Sequence, residues 1–120
     1  MMDRQATLHL AHCERCGGWT FPAGAYGCRQ CGADSSALQA RAMPASPRLL
    51  NFVTVHAELA PGLPVPCVVG EVELAPGVVE EALIDVPSED GLWLGAELRP
   101  RPVQEGDSVT WRFVPVGDRA

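Results

Sequence analysis

Two cysteine pairs, Cys13-Glu-Arg-Cys16 and Cys28-Arg-Gln-Cys31, stand eleven residues apart near the start of the chain, and nothing else in it restricts the fold as tightly. The Cys-x-x-Cys spacing lets two thiolates turn inward from one backbone knuckle. Glycine follows each pair (Gly17 and Gly18; Gly32), where the turn needs a left-handed residue. Four soft sulfur donors gathered from two knuckles select a tetrahedral metal, zinc first and iron second. A four-thiolate site has no open coordination position, so a structural rather than a catalytic metal is expected. The segment of about thirty residues around the pairs is too short to bury a core, and metal binding must supply much of its folding energy.

Cys-x-x-Cys also occurs as a redox dithiol, but two copies with knuckle glycines favour a metal cage. His9 and His12 precede the first pair, and the cysteine set is complete without them. Between the pairs, Trp19 to Gly27 has aromatic residues on either side of a Pro/Gly turn, which predicts a short hairpin of its own.

A chain of 120 residues holds a metal-stapled module and one small barrel. The expected boundaries are a ribbon over 1–40 with a short N-terminal extension, a linker over 41–48 and a barrel over 49–120. The Ala- and Ser-rich stretch from Gly32 to Pro47, with Pro44 and Pro47, reads as connecting chain with one helical turn. The first residues lack an apolar signal core, and no run is long enough to cross a bilayer. A cytoplasmic, reducing location follows, in which metal-bound cysteines persist and disulfides do not.

The formal net charge is −6, and all nine Lys/Arg positions are arginine. A protein that grips a phosphate backbone generally needs a basic stripe. Here Glu71, Glu73, Glu80, Glu81, Asp85, Glu89 and Asp90 make the middle of the chain acidic instead. A single-stranded nucleic-acid module is therefore the weaker reading, and no nucleic-acid or membrane partner is expected.

From Leu49 the texture changes to apolar, β-branched runs broken by Pro/Gly turns. Five strands are predicted: Leu49 to Glu58, Cys67 to Leu74, Val78 to Val86, Leu98 to Val103 and Ser108 to Val114. Gly70 marks a bulge or a sharp bend in the second. The chain is expected to be mainly β, its second part a five-stranded Greek-key barrel of the OB type.

The ordered combination of these features resembles a family of small proteins with an N-terminal rubredoxin-like zinc ribbon and a C-terminal OB-fold, associated with acyl-CoA metabolism. The residues that carry the likeness are the two knuckles, the strand Asn51-Phe52-Val53-Thr54-Val55-His56 and the proline-led strand from Pro66 to Leu74. The turn Leu94-Gly95-Ala96-Glu97-Leu98 and the terminal Trp111-Arg112-Phe113-Val114-Pro115 complete it. The chain departs from the pattern at Cys67, where relatives often have an aromatic residue, and at Pro47-Arg48, where they usually have glycine. The resemblance implies a structural zinc on Cys13, Cys16, Cys28 and Cys31. It also implies a non-catalytic accessory subunit that docks on a thiolase-like catalytic subunit and helps hold acyl-CoA. In some relatives the partner is a thiolase-like aldolase or an acyltransferase.

No catalytic residue is expected in this chain. Cys67 and His56, the one cysteine and the one histidine in the barrel, invite a nucleophile-and-base story. Cys67 instead begins an apolar strand, where a thiol behaves as a small hydrophobe. Arg41, Arg48, Arg99, Arg101 and Arg112 are available for coenzyme A phosphates, because a guanidinium fork matches phosphate oxygens. Arg48, Arg99 and Arg101, placed at the barrel mouth, are the ones assigned to acyl-CoA. Trp111 alternates with Phe113, which predicts an aromatic core face. Trp93, between Leu92 and Leu94, is the expected partner contact. An iron-loaded electron carrier is the remaining alternative.

Overall fold

The structure, a computed structural model, describes residues 8–58, 61 and 64–116. They fall into two compact units, one comprising the described residues up to Ala45 together with Leu74–Val79, the other Ser46–Glu73 and the described residues from Glu80 onward.

In the first unit, β1 (His9–Cys13) is the middle strand of a three-stranded sheet, between β2 (Trp19–Thr20) and β3 (Leu38–Ala42). Both pairings are antiparallel, with His12 opposite Trp19 and Leu10 opposite Arg41. Trp19 and Thr20 thus pair back onto β1 and do not form a hairpin within residues 19–27; Gly27 instead bridges Asp34. The physical reason lies in the knuckles, each of which is itself the tip of an antiparallel turn. The N–H of Cys13 donates to the Gly18 carbonyl at 2.9 Å and that of Gly17 to the Cys13 carbonyl at 2.9 Å. Fifteen residues later Cys28 bonds Ala33 at 2.8 Å and Gly32 bonds Cys28 at 2.9 Å in the same way.

The stretch read as linker carries two elements. A single 3-10 turn over Ser35–Ala37 is capped by the Asp34 carboxylate, which accepts from the Ser36 N–H. Next comes β3, whose Leu-Gln-Ala-Arg-Ala sequence has little strand signal of its own; it forms because β1 offers an open edge for it to pair. Cys13, Cys28 and Ala33 make a small buried cluster, with Ala37 and Leu38 packed against it.

The second sheet has the order β4-β5-β6-β8-β7. Its strands are β4 (Arg48–Val55), β5 (Cys67–Ala75), β6 (Val78–Ile84), β7 (Leu98–Glu105) and β8 (Ser108–Pro115). They match the five predicted strands to within about three residues at each end. β6 and β8 run parallel where Ile84 meets Phe113, while β4–β5 and β7–β8 are antiparallel. The ring returns from β7 to β4 through an Arg48–Glu97 bridge and through backbone bonds from Leu49 to Ala96, from Gly95 to Leu49 and from Leu98 to Pro47. This is the strand order of a partly open OB barrel, and the chain is mainly β throughout.

Alternation along β5 (Val68, Gly70 and Val72 inward; Glu71 outward) fixes which face is core. The bulge lies on β4, between Leu49 and Asn51, opposite the Glu71–Val72 stretch and next to Gly70. Gly70 accommodates it: an added Cβ would stand 2.8 Å from the Asn51 carbonyl oxygen and 2.7 Å from Leu49 Cδ1. On β8, Phe113 is buried as expected, but Trp111 is only half-buried.

Candidate metal centre

Cys13 ends β1 and Cys16 follows it across the first knuckle; Cys28 and Cys31 occupy the second. Gly17 and Gly32 take φ of +76° and +81°, so each knuckle closes on the one residue type that enters this region without strain. The four sulfurs gather into one group, all within 4.8 Å of one another and none in a disulfide. Cys13 Sγ lies 3.7 Å from Cys31 Sγ, and Cys16 Sγ 3.7 Å from Cys28 Sγ. A thiolate–zinc bond of about 2.3 Å makes the sulfur–sulfur edge of a tetrahedron about 3.8 Å, so the spacing fits this ion. Disulfide bonding would require about 2.05 Å instead.

Backbone donors point at the sulfurs. The Gly18 N–H lies 3.3 Å from Cys16 Sγ, and Cys28 Sγ accepts from the N–H groups of Gln30 at 3.3 Å and Cys31 at 3.4 Å. Hydrogen bonds to a thiolate favour its charged form. The Cys31 N–H, helped by that of Gln30 and by the neighbouring thiols, outweighs desolvation and pulls the Cys28 thiol from 9.0 down to about 6. At Cys16 the Gly18 N–H pulls the same way, but lost solvation and the crowding of three other sulfurs prevail, and the thiol is pushed up to about 11. Cys28 therefore holds a negative charge readily, while Cys16 resists one until a cation offsets it.

Three contacts between the knuckle arms hold the cage together, and the Cys-x-x-Cys pattern does not reveal them. The hydroxyl of Thr20, a side chain only 1 % exposed, accepts from the Arg29 N–H at 3.0 Å. The Glu14 N–H donates to the Ala37 carbonyl at 2.8 Å. Gln30 reaches back from the second knuckle to the Trp19 carbonyl, at 3.4 Å, and its Cγ lies over Gly18, where an added Cβ would stand 2.8 Å away. The readable trace of this brace is the second glycine of the Gly17-Gly18 pair. Its φ is not left-handed, so space rather than conformation calls for it.

The histidines stay out of the sulfur group. His12 is half-buried on β1 with its ring edge-on to Trp19, centroids 4.8 Å apart, and His9 is exposed on the same strand. In the second unit, the structure brings Arg99, Arg101 and Arg112 to one outward face of the β7–β8 hairpin, Arg101 directly opposite Arg112. Asp85 engages Arg101 at 2.6 Å. Arg48 stands at the barrel-closing bridge and donates to the Gly95 carbonyl at 3.4 Å, while Arg41 lies on β3 of the first unit. Cys67 is half-buried opposite Val55, and His56 is exposed. Trp93 is half-buried, Leu92 buried and Leu94 66 % exposed.

Among the described residues no helix is long and apolar enough to cross a membrane. No family model matches the chain, and no curated protein matches it in sequence. Among solved structures, a chain of the "Ltp2-ChsH2(DUF35) aldolase" superposes with a TM-score of 0.71 at 18 % identity, over 91 % of this chain and 84 % of that one. At that identity the likeness establishes a shared fold and no more.

Proposed function

We propose that this chain is a non-catalytic, zinc-binding accessory subunit of a thiolase-type acyl-CoA enzyme, working in the cytoplasm. It docks on the catalytic subunit and helps to bind or channel the acyl-CoA. The supporting observation is the fold likeness, which spans nearly the whole chain and falls on a protein named as an aldolase with a DUF35 component. That name favours a thiolase-like aldolase over a thiolase or an acyltransferase as the partner chemistry.

Cys13, Cys16, Cys28 and Cys31 hold the zinc. With all four positions taken by thiolate the ion acts as a cross-link, supplying folding energy to a segment too small to fold on its core alone. The catalytic subunit supplies the nucleophile and the acid and base groups. Arg48, Arg99 and Arg101 meet phosphate oxygens of the acyl-CoA through their planar forks.

Co-expression with each thiolase-fold protein of the source genome tests the reading. The expected result is a stable stoichiometric complex with one zinc per copy of this chain, turning over acyl-CoA that this chain alone leaves untouched. Arg48→Ala, Arg99→Ala and Arg101→Ala should weaken acyl-CoA affinity, most clearly at low salt. Failure of every such protein to co-purify would refute the assignment.

A further inference from the structure

The β7–β8 hairpin outgrows the barrel that it helps to close. Its two strands pair along their whole length, from Leu98 opposite Pro115 to Glu105 opposite Ser108. Toward β6, β8 pairs at Phe113, where the Asp85 N–H also donates to the Phe113 carbonyl at 2.7 Å. Toward β4, bonding ends at Leu98, whose N–H donates to the Pro47 carbonyl at 2.8 Å.

The sequence explains why it ends there. Alternate residues of a strand direct their N–H groups to the same side, so the next donors on that edge belong to residues 100 and 102, and both are proline. Among the described residues, the five rungs beyond Pro100–Phe113 have no third strand. At about 3.4 Å per residue they overhang the barrel by about 17 Å.

The two faces of this arm differ. One continues the barrel core: Leu98 and Phe113 are 1 % and 3 % exposed, and further out the same face carries Pro102 exposed, Trp111 half-buried and Val109 46 % exposed. The other face carries arginines in a chain whose net charge is −6, and the only acidic residues of the arm, Glu105 and Asp107, stand at its turn. Arg101 and Arg112 oppose each other directly, an arrangement that destabilises a free hairpin. A two-stranded arm is itself marginal in water. Asp85 engages Arg101; among the described residues no acidic group is bonded to Arg112.

We propose that the arm is the docking surface of the chain, with Trp111 and Val109 seated in an apolar groove of the thiolase-type catalytic subunit and Arg112, on the arm's other face, meeting a carboxylate on the groove's wall. This rests on the function proposed above. Pro100 and Pro102 close the β7 edge to strand addition, and what the arm offers a partner besides its β8 edge is the exposed apolar face of Val109 and Trp111. Tryptophan in a desolvated pocket is the residue type that dominates such interfaces.

The test measures affinity between the full-length, zinc-loaded chain and the thiolase-fold protein that co-purifies with it. Val109→Glu and Trp111→Ser should each weaken the complex by about tenfold or more. Arg112→Glu should weaken it chiefly at low salt. Val53→Glu, at a 57 % exposed valine on β4, should bind as the parent does. Zinc content and the thermal transition report whether each variant folds, and if Trp111→Ser does not, the exposed Val109 decides the matter. Parent-like affinity in Val109→Glu and Arg112→Glu would overturn the docking surface while leaving the accessory-subunit reading intact. Absence of a complex with any thiolase-fold protein would overturn both. A dimer of this chain alone that Val109→Glu dissolves would overturn the proposal in favour of a second copy as occupant.

Discussion

Replacing Gly18 with alanine should loosen the metal by crowding the brace between the knuckles. The new Cβ would stand 2.8 Å from Gln30 Cγ, 3.2 Å from Gln30 Cβ and 3.2 Å from Cys16 Sγ. Comfortable carbon contacts lie at about 3.5–4.0 Å, so the overlap reaches most of an ångström. Overpacking of that order costs about 1–3 kcal/mol. Ribbon folding and metal uptake are one process, so the strain appears in the zinc affinity as about a five- to 150-fold loss. Gln30→Ala alone removes one long, exposed hydrogen bond, worth about 0.5 kcal/mol, or about twofold. In the double variant the 2.8 Å contact is gone and only the 3.2 Å contacts remain. The Gly18→Ala penalty should then shrink by at least about 0.5 kcal/mol, a coupling that a double-mutant cycle resolves. Competition of the zinc-loaded protein against a chromogenic chelator provides all four affinities. Parent affinity in Gly18→Ala, or a strictly additive cycle, would refute the brace.

The pH dependence of zinc affinity follows from the two perturbed thiols. Metal uptake expels the protons still bound; Cys28, pulled to about 6, has already lost its proton at neutral pH, while Cys16, pushed to about 11, retains it. Affinity should therefore rise with pH, and its slope against pH should steepen by one proton as the solution is acidified through about 6; chelator competition over that range would show a constant slope if the assignment is wrong. In the barrel, Gly70→Ala presses a methyl group on the Asn51 carbonyl and on Leu49, which should cost about 3 kcal/mol and lower the melting temperature by more than about 10 °C. Cys67→Ala should leave zinc content at the parent value by metal analysis, whereas Cys13→Ser should abolish stoichiometric binding.

The sequence alone determined whatever depends on local pattern. The Cys-x-x-Cys spacing and the glycines after it specify two knuckles, because the turn geometry is set within six residues of chain. Apolar, β-branched runs between Pro/Gly turns placed all five barrel strands, because residues such as Val68, Val72, Leu98 and Phe113 must reach a core whatever lies across from them. The prolines at 100 and 102 were visible from the start, but their effect was not, since an edge has no meaning until β4 stands beside Leu98.

Tertiary structure decided the pairings in which one partner carries no signal. Leu38–Ala42 is a strand because β1 has a free edge, and Trp19–Thr20 returns to β1 because the knuckle bonds impose that register. Gln30 braces the cage only once the two knuckles face each other, and Trp111 leaves the core only because β8 runs on past its single rung with β6. Spacing along a chain fixes which atoms a short turn brings together. Contacts between distant segments depend on where the whole sheet ends, and no short stretch of sequence encodes that.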